Sequence, residues 1–288
     1  MKQKLINIIL AVCLFSTLAS GNDDGRMKYS LVQWSFRYPL KELCKEIKPL
    51  GITSFEIVGI EKWEMLKHYG YEVLIADGAD LGIERGFVNP DFHEELRQRY
   101  SELIPKAAEA GIKMIICYSG ITNKYTPEEA MENCVLGLNP VVAMAEKYGI
   151  TLVMELFSSK EGKDKFFKHS FPFYVADNVE WGARLCDRLN STSFRLLYDI
   201  WQMNDMGHDV VQNIKKYHTY IAHYQIAGIP SRKGISKTDD FDYNRVMKTI
   251  YETGYSGYIG LECFVEHTAV EVIKEAMEVL DLDETRNR

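Results

Sequence analysis

Short apolar runs recur along the chain at positions 29–33, 54–58, 73–77, 114–119, 152–157, 195–200, 222–227 and 258–264. Each is bounded by Gly, Asn, Ser or charge, which is how strands of a buried parallel sheet read. Between them lie segments with apolar residues at helical spacing, among them 40–47, 93–110, 127–147, 178–189 and 243–253. Gly111, Gly149 and Gly254 stand where three of these should end, glycine being the residue that most easily turns left-handed after a helix. Eight strand–helix units in a chain of this length predict an α/β fold, a single (β/α)8 TIM barrel. A doubly wound open sheet also alternates, but usually with five to seven strands and a glycine-rich first turn. The chain has no GxGxxG, GxxxxGK[ST] or GxSxG motif, so the barrel is the better reading. No linker-like stretch interrupts the pattern, and residues 27–288 are read as one domain.

The first 21 residues fall outside that pattern. Lys2 and Lys4 precede a mostly apolar run, 5–19, that ends in the small residues Ala19, Ser20 and Gly21. This is the order of a cleavable secretory signal, and the run is too short and too interrupted for a stable membrane span. The expected destination is the periplasm or the cell exterior. Losing the two lysines takes the formal charge from -7 to -9. Acids already outnumber bases 41 to 34, so a nucleic-acid partner is excluded on charge. Five cysteines remain beyond the signal (Cys44, Cys117, Cys134, Cys186 and Cys263), an odd number without a CxxC pair. That argues against a disulfide framework or a thiolate zinc site.

The reactive residues of such barrels lie where strands run out. The last four runs carry Glu155, Asp199, Gln225 and Glu262, one polar group per strand. Successive intervals of about one β/α unit bring all four to a common mouth. Three carboxylates in one apolar site are untenable unless protons or a cation neutralise them. Three carboxylates and an amide oxygen form an oxygen-only donor set, which suits Mg²⁺ or Mn²⁺ better than copper or zinc. His223 lies two residues before Gln225, on the same strand face, where it either supports the site or simply packs. Trp34, Phe36 and Trp201 lie at strand ends and either wall a sugar ring or pack the mouth. Glu56 either supports the site or pairs with a lysine. The acidic loop 238–242 reads as a solvated face and the cap of the next helix.

The segments LLYDIWQM (196–203) and HYQIAGIPSR (223–232), with FEIVG (55–59) and CYSG (117–120), resemble the xylose isomerase-like TIM-barrel superfamily of sugar isomerases and epimerases, its hydroxypyruvate isomerase branch above all. The resemblance implies that Glu155, Asp199, Gln225 and Glu262 hold the metal and that Glu155 and Glu262 double as the acid/base pair. It also implies that Arg232 holds a substrate oxygen. Gln202 stands where the family usually has a substrate-contacting His, and Ser158 where an Asn often follows the Glu of strand five. Gln202, His223 and Trp34 complete the expected substrate side.

The implied activity is metal-dependent isomerisation or epimerisation of a small sugar or hydroxy-keto acid through an ene-diolate. An exported keto-sugar lyase or dehydratase using the same enolate, and a barrel that binds sugars without transforming them, are the alternatives. A homodimer stays open.

Overall fold

The computed structural model describes residues 27–36, 39–160 and 171–281. The signal expected at residues 1–21 lies outside them. Eight strands close a parallel barrel in chain order: β1 Lys28–Val32, β2 Ser54–Gly59, β3 Glu72–Asp77, β4 Met114–Cys117, β5 Thr151–Leu156, β6 Phe194–Asp199, β7 Ile221–Ile226 and β8 Tyr258–Leu261. The predicted (β/α)8 barrel is therefore the observed fold. Around it run α1 Leu40–Ile47, α2 Trp63–His68, α3 His93–Glu109, α4 Pro127–Tyr148, α5 Val179–Leu189, α6 Ile200–Asp205, α7 Val210–Tyr217, α8 Tyr243–Glu252 and α9 Ala269–Leu280. No helix among the described residues is long and apolar enough to cross a membrane.

The helices form where an apolar stripe meets a cap. In α5, Leu185, Cys186 and Leu189 are buried on one face, and Asn178 caps the start by accepting the Trp181 N–H at 2.8 Å. Each large apolar side chain so buried contributes about 1.5–3 kcal/mol, a cap about 1 kcal/mol. Thr126 and Thr268 open α4 and α9 with reciprocal capping boxes to Glu129 and Glu271. Asp242 caps α8 through the Arg245 N–H, as the acidic loop predicted. Gly149 ends α4 at φ 65°. Strands β4 and β8 stop short of the predicted ends. Beyond them the chain bonds to loops instead: Ser119 O accepts the Val88 N–H at 2.7 Å, and the Phe264 N–H donates to Arg232 O at 2.8 Å.

Two features of the ladder bear on the mouth. In β2 the register with β3 shifts on both sides of Glu56, and Ile57 there adopts φ 53°. A β-branched residue in the left-handed region is strained by about 1–3 kcal/mol, and the bulge it makes re-aims its neighbours. The loops after β3 and β4 also cross backbone to backbone. A Cβ on Gly86 would lie 2.3 Å from both Gly120 N and Tyr118 O. The Phe87 and Val88 N–H groups and the Ile121 N–H tie the same crossing together. Only glycine fits there, because backbone cannot swing aside as a side chain can. Gly86→Ala should lower the unfolding free energy by about 2–4 kcal/mol, read from chemical denaturation.

Candidate active site

Glu155 is the penultimate residue of β5, Asp199 ends β6, and Glu262 follows β8 directly. All three are buried, and one carboxylate oxygen of each lies within 4.8 Å of the others. Strand register explains the convergence: Asp199 pairs with Gln225, Gln225 with Gly260, and Glu262 points to the same side two residues on. Asp199 also opens α6, its Oδ1 accepting the N–H groups of Trp201 at 2.8 Å and Gln202 at 3.3 Å. Its other oxygen is thereby turned to the interior.

Arg232 is the counter-charge. Its Nη2 lies 2.8 Å from Glu262 Oε2 and 3.5 Å from Asp199 Oδ2, and the whole side chain is buried. The guanidinium sits 4.9 Å from the Trp201 ring centroid and 5.8 Å from that of Phe157, a cation between two aromatic faces. Its backbone is left-handed, φ 55°, in a loop that Gly228 permits, since a Cβ there would meet Gly234 O at 2.5 Å.

Burial pushes the carboxyls of Glu155, Asp199 and Glu262 above their ordinary range. At Glu155 the neighbouring Glu262 and Asp199 add to the rise, while Arg232 works against it at all three. With all three ionised, one guanidinium leaves two negative charges uncompensated in a dry site. Glu155 Oε1, Asp199 Oδ2 and Gln225 Oε1 are buried without a hydrogen bond among the described residues. Hard oxygen donors, an excess of negative charge and buried oxygens without a hydrogen bond fit a divalent cation.

Gln225 stands on a buried support. Its Nε2 donates to Glu56 Oε1 at 2.7 Å. Glu56 Oε2 accepts from the Ser30 hydroxyl and lies 2.7 Å from His223 Nε2. His223 therefore sits beneath the site rather than on its substrate side, and Glu56 meets a histidine rather than a lysine.

The two positions that depart from the family pattern are bonded to each other. Gln202 Oε1 accepts the Ser158 N–H at 2.9 Å, while its buried Nε2 has no acceptor among the described residues. Ser158 in turn donates its hydroxyl to Asp205 at 2.6 Å. Trp34 is 39% exposed on the rim, its ring 5.7 Å from that of Phe264, the residue bonded to Arg232 O. Phe36 is core.

Residues 45–282 match the xylose isomerase-like TIM barrel family. The chain belongs to that family. A putative hydroxypyruvate isomerase of Drosophila melanogaster is 29% identical over 104 residues, 36% of this chain and 39% of its own length. The hydroxypyruvate isomerase of Escherichia coli K12 is 26% identical over 181 residues, 62% of this chain and 66% of its own. These matches thus span between about two fifths and two thirds of the curated relatives. Among solved structures, a D-psicose 3-epimerase with D-tagatose from Clostridium cellulolyticum H10 superposes with a TM-score of 0.71. It covers 88% of this chain and 97% of that one at 15% identity, a likeness of fold.

Sequence reasoning overlooked a second acid pair at the mouth. Asp77 ends β3, and burial, followed by the hydrogen bond and charge of Asp80, raises its carboxyl to about 7. The native state therefore holds the Asp77 proton more tightly than the unfolded chain does. Stability from this group is present below the ordinary aspartate range and lost as pH rises toward 7. Asp77→Asn should raise stability at pH 8 by about 2 kcal/mol and leave it little changed near pH 4, in melts run across that range.

Proposed function

We propose that this chain is a metal-dependent isomerase or epimerase of a small sugar or hydroxy-keto acid, acting by proton transfer through an ene-diolate. The observation that carries the reading is the set of three buried carboxylates within 4.8 Å of one another beside a single buried guanidinium. Glu155, Asp199, Gln225 and Glu262 would hold Mg²⁺ or Mn²⁺. When bound, the ion supplies Lewis acidity, polarising a chelated hydroxy-ketone and stabilising the negative charge of its enolate.

The remaining work falls to side chains. Glu155 or Glu262 takes the proton from the carbon beside the carbonyl, and a carboxylate returns it to the neighbouring carbon or the opposite face. A 1,2-shift needs one base, whereas inversion needs one on each face. Arg232 holds Glu262 by a 2.8 Å contact and offers a fixed positive charge to substrate oxygens. Gln202 has its oxygen committed to the Ser158 N–H, so it presents N–H donors to the substrate. Trp34 supplies an apolar edge at the rim.

That donor bears on the lyase alternative. Expelling a leaving group calls for a proton donor at its side of the pocket, and an amide cannot give one up. Isomerisation needs only an oriented oxygen there. The names of the curated relatives support the reading, as does the epimerase that shares the fold. Export, as the first 21 residues suggest, would present the site with free sugars and keto-sugars rather than phosphorylated ones.

The test is turnover of a panel of ketoses, hydroxypyruvate and keto-glycosides in D₂O with added Mn²⁺ or Mg²⁺, followed by NMR. Deuterium should enter beside the carbonyl only with metal present. Glu155→Gln and Glu262→Gln should each cut exchange by about 10³-fold or more while the fold survives, and Asp199→Asn should chiefly weaken metal binding. A Glu155→Gln protein that exchanges at the normal rate would overturn the assignment. Folded protein with no exchange on any substrate would point to the sugar-binding alternative.

A further inference from the structure

Glu56 is completely buried at the bulge of β2. Its two carboxylate oxygens face different partners. Oε2 faces the Ser30 hydroxyl and His223 Nε2, and Oε1 accepts from Gln225 Nε2 at 2.7 Å. The barrel makes room for it: a Cβ on Gly260, the residue paired with both Ser30 and Gln225, would lie 2.2 Å from Glu56 Oε1.

A primary amide can bind in two orientations that differ by exchange of its oxygen and nitrogen. A carboxylate only accepts, so a neighbouring carboxylate forces the amide nitrogen toward itself. Gln225 Oε1 must then lie on the far side of the amide, where it is buried without a donor among the described residues.

We propose that Glu56 is the positioning residue of the metal site, and that its carboxylate locks the Gln225 amide with the oxygen turned to the cation. This inference rests on the reading that Glu155, Asp199, Gln225 and Glu262 hold a divalent ion. Orientation matters because the flipped amide would present N–H dipoles, and those repel a cation. Partners of this kind that orient a metal ligand commonly change affinity 10- to 100-fold.

The lock predicts an asymmetric pair of mutants. In Glu56→Gln, the Ser30 hydroxyl, the donor at that end, keeps the new amide oxygen there, so its nitrogen faces Gln225. Gln225 must turn over to offer its oxygen, which withdraws that oxygen from the site. In the swap Glu56→Gln with Gln225→Glu, the amide nitrogen of residue 56 meets a carboxylate that has an oxygen on each side. One oxygen accepts from residue 56, and the other faces the triad again.

The experiment is Mn²⁺ titration of the full chain by calorimetry and by the EPR signal of free Mn²⁺, with thermal melts on every variant. Wild type should bind, Glu56→Gln should bind at least tenfold more weakly, and the swap should recover wild-type affinity or exceed it. A folded Glu56→Gln protein with unchanged affinity overturns the inference while leaving the metal reading intact. So does a folded swap as weak as the single variant, since Glu56 would then act only as scaffold. Should Glu56→Gln alone not fold, the swap decides by itself, its folded form binding or failing to bind. Wild-type protein that takes up no Mn²⁺ overturns the metal reading and this inference with it.

Discussion

Everything at the mouth of this barrel answers to one electrostatic problem, three carboxylates enclosed within 4.8 Å of one another. Water would screen such a cluster, but here the side chains are buried and each ionisation opposes the next. A closed ring of strands can impose the arrangement because each acid is delivered by a different strand, held by its own ladder. The cost is met in parts. Arg232 supplies one positive charge, the two N–H groups at the start of α6 receive Asp199 Oδ1, and the oxygens left over fit the cation proposed for the site.

The backbone is strained where these parts are aimed. Two of the non-glycine residues with positive φ, Ile57 and Arg232, flank the cluster from β2 and from the loop after β7. The bulge beside Ile57 turns Glu56 inward to meet Gln225, and the turn at Arg232 drops its guanidinium between Trp201 and Phe157, onto Glu262. Strain of this kind persists only where surrounding contacts over-determine it. Here the contacts are those of the site itself, so the site and its distorted supports hold one another in place.

The eight strands were legible because a strand buried on both faces leaves a dense apolar run, whatever lies next to it in space. Glu155, Asp199, Gln225 and Glu262 were legible for the same reason, as polar residues inside such runs one unit apart. The short helices α2 and α6 were not read, since six residues carry little periodic signal. Glu56 was read as a candidate support of the site, but its partner was out of reach for another reason. Its partner Gln225 lies 169 residues away, and the contact exists only because the barrel closes β8 onto β1. Arg232 was named from family likeness, yet its hold on Glu262 depends on a loop conformation that no local pattern announces.

The two glutamines show how an uncharged side chain can be given one sense in a site already overloaded with charge. An amide carries a donor and an acceptor, so its chemistry is undecided until a neighbour that can play only one role chooses for it. For Gln225 the neighbour is a carboxylate, which only accepts, and the free end is an oxygen. For Gln202 it is the Ser158 N–H, which only donates, and the free end is a nitrogen. The two positions that depart from the family pattern, 158 and 202, meet in that bond. The Gln202 oxygen reaches the Ser158 main chain, while the Ser158 hydroxyl turns away to Asp205 and leaves that N–H to the amide. A histidine at position 202 could change its charge with pH, whereas the locked glutamine offers the same donors across the whole working range. A glutamine at that position thus gives fixed hydrogen-bonding polarity, which suits the proposed reaction, in which Glu155 and Glu262 would carry the protons.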